Sequence, residues 1–192
     1  GDTLTVLNSD IDLIINNDID PDNLTNELSA QLMIPPSYHS GIFGIGSKGA
    51  FQYIHNCNDA DVDVFQYLVS DGTATSSFQD SVIIFILNEA PFGEPDSYSV
   101  QNGQTLTVDE LSGALSNDLD SNSCDVLRVK LVQPPSYHLG SFTLDSTGAF
   151  SYIHDGTLTP TQDYFVYQLS DGEDSAIETD TVYITINNNG PN

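Results

Sequence analysis

Asn17-Asp18-Ile19-Asp20 sets three oxygen-bearing side chains within four residues, and the arrangement returns one hundred residues later as Asn117-Asp118-Leu119-Asp120. Carboxylates and carboxamides at this density, in a segment too polar to be core, form the donor set of a hard divalent cation. Asp and Asn also favour turns and cap backbone amides. The meaning of the motif therefore depends on what surrounds it.

Its surroundings repeat as well. Leu4-Thr5-Val6 matches Leu106-Thr107-Val108, and Pro35-Pro36-Ser37-Tyr38-His39 matches Pro134-Pro135-Ser136-Tyr137-His138. Gly49-Ala50-Phe51, Tyr53-Ile54-His55 and Ser70-Asp71-Gly72 match Gly148-Ala149-Phe150, Tyr152-Ile153-His154 and Ser170-Asp171-Gly172. A near-constant offset over the whole length makes the chain two copies of one domain-sized unit.

Composition narrows the chemistry. A length of 192 residues with 39% hydrophobic content gives each copy a modest core. Acids number 28 against 3 bases, a net charge of −25, and 22 of the acids are Asp. That field repels phosphate backbones and anionic lipid and favours cations, which excludes nucleic acid as a partner. No apolar run approaches the roughly 20 residues of a spanning helix, so direct membrane insertion is not expected. Cys57 and Cys124 occupy different places in their copies, so neither copy holds an internal disulfide; the expectation is free thiols, with a bridge between the copies as the alternative.

Short alternating segments broken by Gly, Pro, Asn and Asp, with no sustained 3.6-residue period, are an all-β signature. In the second copy the predicted strands are A (97–100), B (105–108), C (126–133), D (140–144), E (149–154), F (163–169) and G (181–187), with a helical turn over 111–115. Seven strands of this length and spacing form a two-sheet sandwich. The first copy repeats the order from strand B onward and lacks strand A. The expected domains are 1–88 and 96–192, joined by a Pro-bearing linker at 89–95.

Antiparallel strands put alternate connections at the same pole. The N-terminal pole of copy two then collects Asp96, Asn117, Asp118, Asp120 and Asp171, with Asp145 of the D–E turn as a further candidate; that of copy one collects Asn17, Asp18, Asp20, Asp22 and Asp71. The E–F loop of copy one, Asn56 to Asp63, is acidic too and is expected to face the acidic pole of copy two. Like-charged surfaces of this kind call for Ca²⁺, which accepts irregular carboxylate cages more readily than Mg²⁺.

The motif order resembles the bacterial cadherin-like, immunoglobulin-like tandem repeats of large secreted RTX-type adhesins. It reads Asn-Asp-x-Asp at 117–120, Pro135, Gly-x-Phe-x-Tyr at 148–152, Asp-x-Phe-x-Tyr-x-x-Ser-Asp-Gly at 163–172 and Val-x-Ile-x-Ile at 182–186. The resemblance implies two immunoglobulin/cadherin-like β-sandwiches, Ca²⁺ near the domain junctions, and extracellular or cell-surface use as spacer or adhesive modules. His55 and His154 stand where the family usually has Pro, and Val62 and Gln162 where it usually has Gly, which leaves the E–F loop open.

Other chemistry is weaker. His39 with His55, and His138 with His154, fall at one pole of each copy and could take a transition metal with Cys57 nearby; the plainer reading is that His55 and His154 cap the core. Gly44-Ile45-Gly46-Ser47-Lys48-Gly49 fits a nucleotide-loop pattern but precedes a strand, and reads as a hairpin turn. No nucleophile elbow or zinc-protease helix appears, so the expectation is a non-enzymatic, calcium-stiffened spacer or adhesion segment whose partners are neighbouring repeats and a cell-surface glycan or a homophilic copy. The alternative is a carbohydrate-binding module, which needs an exposed aromatic row drawn from Tyr38, Tyr98, Tyr137 and Tyr183.

Overall fold

The computed structural model describes residues 2–7, 13–22, 24, 27–58 and 60–188, and the chain divides into two compact units, Gly1–Leu87 and Asn88–Asn192. Each is all-β and holds its own core, as the alternating pattern requires.

In the second unit, β7 (Thr105–Val108), β10 (Phe150–Ile153) and β9 (Thr143–Leu144) form one sheet in the order β7-β10-β9. The other sheet runs β6-β12-β11-β8, from β6 (Asp96–Gln101), β12 (Asp180–Asn187), β11 (Gln162–Ser170) and β8 (Arg128–Gln133). All pairings are antiparallel except β12 with β6, which is parallel. The first unit has β1 (Thr3–Val6) on β3 (Phe51–Ile54), and β2 (Ser29–Ile34), β4 (Val62–Ser70) and β5 (Asp80–Phe85) in the order β2-β4-β5.

The period of two seen in the sequence becomes burial. In β11, Phe165, Tyr167 and Leu169 are buried, and in β12 so are Val182, Ile184 and Ile186; these neighbouring strands of one sheet present both sets to the core. Phe165 sits 4.8 Å from Phe142 and 5.1 Å from Phe150 between ring centroids, and Phe65 repeats this with Phe43 at 5.0 Å and Phe51 at 5.1 Å. The expected helical turn is a single 3-10 turn at Glu110–Ser112, capped by the Asp109 carboxylate, which accepts from the Ser112 amide. The Gly44 to Gly49 pattern is a hairpin turn, in which the Gly46 amide donates to the Ala50 carbonyl at 2.7 Å.

Asp63, the last residue of the acidic loop expected at 56–63, is structural: it is 3% exposed and its carboxylate accepts from the amides of Ser37, Tyr38 and Val64, each at 2.8 Å, with the Tyr53 hydroxyl at 3.1 Å. Asp163 does the same for Ser136, Tyr137, Tyr164 and Tyr152. The carboxylate thus staples the Pro-Pro-Ser-Tyr-His loop to the strand crossing beneath it. Burial alone would raise Asp63, but the amide and hydroxyl donors outweigh it and hold the group below the usual carboxylate range. Asp145 spends Oδ1 on the Thr147 amide and hydroxyl, both at 3.0 Å, in a local turn. His55 and His154 are buried as core caps. The two cysteines correct the free-thiol expectation, since both are in disulfide linkage; comparing places within a copy could not reveal that.

Asp163→Ala leaves several buried donors unsatisfied and should cost about 3 kcal/mol or more, lowering the melting temperature by more than ~10 °C. Asp145→Ala, at an exposed turn, should shift it by no more than ~3 °C. Equal shifts in thermal denaturation would contradict the staple.

Candidate metal centre

The Asn117 to Asp120 segment is held from four sides. The Ala114 amide donates to the Gly148 carbonyl at 3.0 Å, where Gly148 has φ +86° and Gly113 packs so closely on it that a side chain at 113 would collide with the Gly148 carbonyl. Tyr167, rising from β11, places its hydroxyl 2.9 Å from the Ala114 carbonyl and 3.0 Å from Asp118 Oδ2, and its single proton serves one at a time. Phe92 and Leu119 exchange backbone hydrogen bonds at 2.8 and 2.9 Å. The Asn117 carboxamide donates to the carbonyls of Glu94 and Pro95 at 3.0 and 3.4 Å.

This bridge decides where the acids point. In extended backbone, alternate residues share a face, so Leu119 is exposed while Asp118 is buried and Asp120 half-buried on the other side. Asn117, predicted as a ligand, uses its amide to hold the 88–95 segment. That segment, expected to be a linker, is part of the second unit: Asn88 reaches Asp171 Oδ2 at 2.9 Å, the Glu89 amide reaches Asn122, and the Glu94 amide donates to Asp118 Oδ1 at 2.9 Å.

Two carboxylate groups result. In the first, Asp96 and Asp118, both 7% exposed, lie close enough to Asp180 for all three charges to repel. Burial, then Asp118 and Asp180, push Asp96 up to about 7. Burial also raises Asp118, against the lowering effect of the Glu94 amide and the Tyr167 hydroxyl. Asp96 Oδ2 is buried with no hydrogen-bond partner. Gly93 closes over the group, and any side chain there would strike the Asp180 carboxylate.

In the second group, ligand atoms of Asp120, Asp125 and Asp171 all lie within 4.8 Å of one another. Asp120 Oδ1 accepts from the Asn122 amide at 2.7 Å, while its Oδ2 is buried without a partner. Burial opposes ionisation of Asp171, but the Asn88 amide and the backbone amides of Asp174 and Glu173 hold it below the usual range. Sequence reasoning missed Asp125 and Asp180. The second had a usable signal, since Asp80 and Asp180 are matched one hundred residues apart.

The first unit gathers Asn17, Asp18, Asp20, Asp71 and Asp80 around one cavity of about 440 Å³. Tyr67 repeats the role of Tyr167, with its hydroxyl 2.9 Å from the Ile14 carbonyl and 3.2 Å from Asp18 Oδ2. Burial and Asp80 raise Asp18, against Tyr67. Asp22, in contrast, is exposed and interacts with Asp20.

The donors fit a hard cation. Every group is an oxygen, two buried carboxylate oxygens lack protein partners, and no imidazole or thiolate belongs to the only such cluster among the described residues. Of the four tyrosines a carbohydrate site would draw on, Tyr98 is committed to the fold: it packs edge-on to Phe150 at 5.1 Å and donates its hydroxyl to the Ser112 carbonyl.

Residues 88–188 match the bacterial cadherin-like domain family, to which the chain belongs, and residues 1–84 match the bacterial Ig domain. No curated protein matches. Among solved structures, human protocadherin-24 repeats EC1-2 share 15% identity over 90% of this chain and 85% of that one, with a TM-score of 0.39. Protocadherin gamma B2 domains 3-6 share 14% over 88% and 46%, at 0.42. An endo-fucoidan hydrolase of glycoside hydrolase family 107 shares 16% over 84% of this chain at 0.35, and the chain spans only 24% of its length. Scores this low carry no functional meaning.

With no divalent cation present, Asp96 sets a testable pH dependence. Its folded-state value near 7 lies above the unfolded carboxylate value near ~4, so the folded state binds the extra proton between them. Stability therefore falls as pH rises from ~4 to ~7, and Asp96→Asn should flatten that slope in EGTA. Parallel melting curves for the two proteins across this range would contradict the buried repulsion.

Proposed function

We propose that this chain is a non-enzymatic, calcium-binding repeat module of a bacterial surface or secreted protein, used outside the cell as a spacer or adhesion segment. One observation carries the reading: Asp96 Oδ2 and Asp120 Oδ2 are buried, without protein partners, among other carboxylates. Leaving such groups unneutralised is costly, and a bound divalent cation offsets both the desolvation and the repulsion.

In the second unit, Asp96, Asp118 and Asp180 would hold one ion, and Asp120, Asp125 and Asp171 another. In the first unit Asp18, Asp20, Asp71 and Asp80 are the corresponding ligands. Asn17 lines that cavity and its carboxamide oxygen could join them. Ca²⁺ fits better than Mg²⁺ because the donors come from separate loops with no near-octahedral template.

The mechanical consequence lies in the 88–95 segment. Glu94 and Asn88 already bond Asp118 and Asp171, so neutralising those acids would fasten the chain where it enters the second unit. Family membership supports the adhesion-type reading, and no helix among the described residues is long and apolar enough to cross a membrane.

Calcium at about a hundredfold over its dissociation constant should add roughly 2.7 kcal/mol per site. Thermal denaturation should then show a higher melting temperature in calcium than in EGTA, and calorimetry should show saturable binding that Asp118→Ala and Asp171→Ala each reduce. Identical melting curves with and without calcium would overturn the proposal.

A further inference from the structure

The strands β6, β12, β11 and β8 of the second unit contain three acids, Asp96, Asp163 and Asp180, and alternation sends all three to the core side of the sheet. The outer face of that sheet therefore carries no carboxylate from its own strands, in a chain with 28 acids. It does carry Arg128 and Lys130, both exposed on the edge strand β8, which are two of the chain's three basic residues. Neither makes an ion pair among the described residues. Asp145 is held low first by Thr147, and only more weakly by Arg128.

Tyr164 of β11 and Tyr183 of β12 pair across the same face. They are 43% and 39% exposed, with ring centroids 6.5 Å apart and planes at 45°. Each ring offers an apolar face and a hydroxyl, and small polar residues flank them: Ser97 stands beside Tyr183, and Gln162 pairs with Thr185. Lys130 lies opposite Gln168, four residues along β11 from Tyr164, or about 13 Å. A ligand that reaches both the rings and the cations is an extended chain.

The first unit shows that the sheet does not need these side chains. At the same registers Val64 faces Ile83, and Ser29 and Gln31 stand opposite Ser70 and Leu68, where the second unit has Tyr164 facing Tyr183 and Arg128 and Lys130 opposite Ser170 and Gln168. A cross-strand tyrosine pair can stabilise a sheet. That role explains the rings, but neither the cations nor the missing acids.

We propose that the outer face of the β6-β12-β11-β8 sheet binds an acidic polysaccharide of the uronate type, with pyranose rings stacked on Tyr164 and Tyr183 and a ring carboxylate held by Arg128 and Lys130. The guanidinium fork matches the two coplanar oxygens of a carboxylate, and the C–H face of a sugar ring suits a tyrosine face. The net charge of −25 does not forbid this. Its reach at physiological salt is about 8 Å, and a uronate chain with one charge per ring is far sparser than a duplex with one per ~1.7 Å. The proposal deepens the adhesion reading, on which its biological use rests, by naming the class of surface held; the binding itself needs no calcium.

Calorimetric titration of the full chain with a short, soluble oligogalacturonate, in calcium and in EGTA, tests this. Saturable binding is expected in both, weakened about tenfold or more by Arg128→Ser with Lys130→Gln, and likewise by Tyr164→Val with Tyr183→Ile. Melting temperatures should stay within ~3 °C, since the first unit carries those residues at the same registers. The methyl-esterified oligomer, with the same rings and no charge, should bind about tenfold more weakly. No binding at about 1 mM, equal binding of the ester, a polyglutamate peptide bound as tightly, a sulfated oligosaccharide bound more tightly, or either double variant binding unchanged would each overturn the proposal. Calcium stabilisation without oligogalacturonate binding would sink this inference alone, whereas binding in a chain whose melting curve calcium does not move would uphold it and sink the calcium reading.

Discussion

The structure turns on the close burial of carboxylates that repel one another. Asp96, Asp118 and Asp180 come from β6, from the connection after β7, and from β12, and the sandwich fixes all three before any question of ligand arises. The protein offsets only part of the cost: Asp118 gains an amide and a tyrosine hydroxyl, and Asp96 Oδ2 gains nothing. A fold driven by its own stability alone would place apolar or neutral groups there. Retaining the acids makes sense when something positive is to be held.

Two tyrosines and two aspartates per unit divide the work between structure and binding. Tyr152 and Asp163 tie the loop after β8 to β11, using the carboxylate fully on protein donors. Tyr167 stands on the same strand at the other end and steers Asp118, leaving that carboxylate with capacity to spare. Tyr53 with Asp63 and Tyr67 with Asp18 repeat the scheme in the first unit. The same two residue types therefore close one end of each sandwich and arm the other.

The fold was legible because strict alternation, as in Phe165, Tyr167 and Leu169, maps directly onto a buried face. Strand β7 occupies the predicted 105–108, while β8 and β9 begin later than predicted because their first residues continue irregular loops. The acids were legible only where they repeat within a motif. Asp120 and Asp171 come together with Asp125, while Asp118 lies with Asp96 and Asp180, and the Asn117 amide nitrogen donates to the Glu94 carbonyl. Asp163 and Asp145 look alike in sequence, and only the Pro-Pro-Ser-Tyr-His loop folded over the first distinguishes a buried staple from an exposed turn. Asp125 lies in a loop without a counterpart pattern, so nothing in the sequence marked it.

Anomalous scattering from a crystal grown in calcium examines the central claim most directly. The account predicts a peak coordinated by Asp96, Asp118 and Asp180, and a second by Asp120, Asp125 and Asp171, with Asp96 Oδ2 and Asp120 Oδ2 among the ligands. Density showing only water against these oxygens at saturating calcium would contradict it.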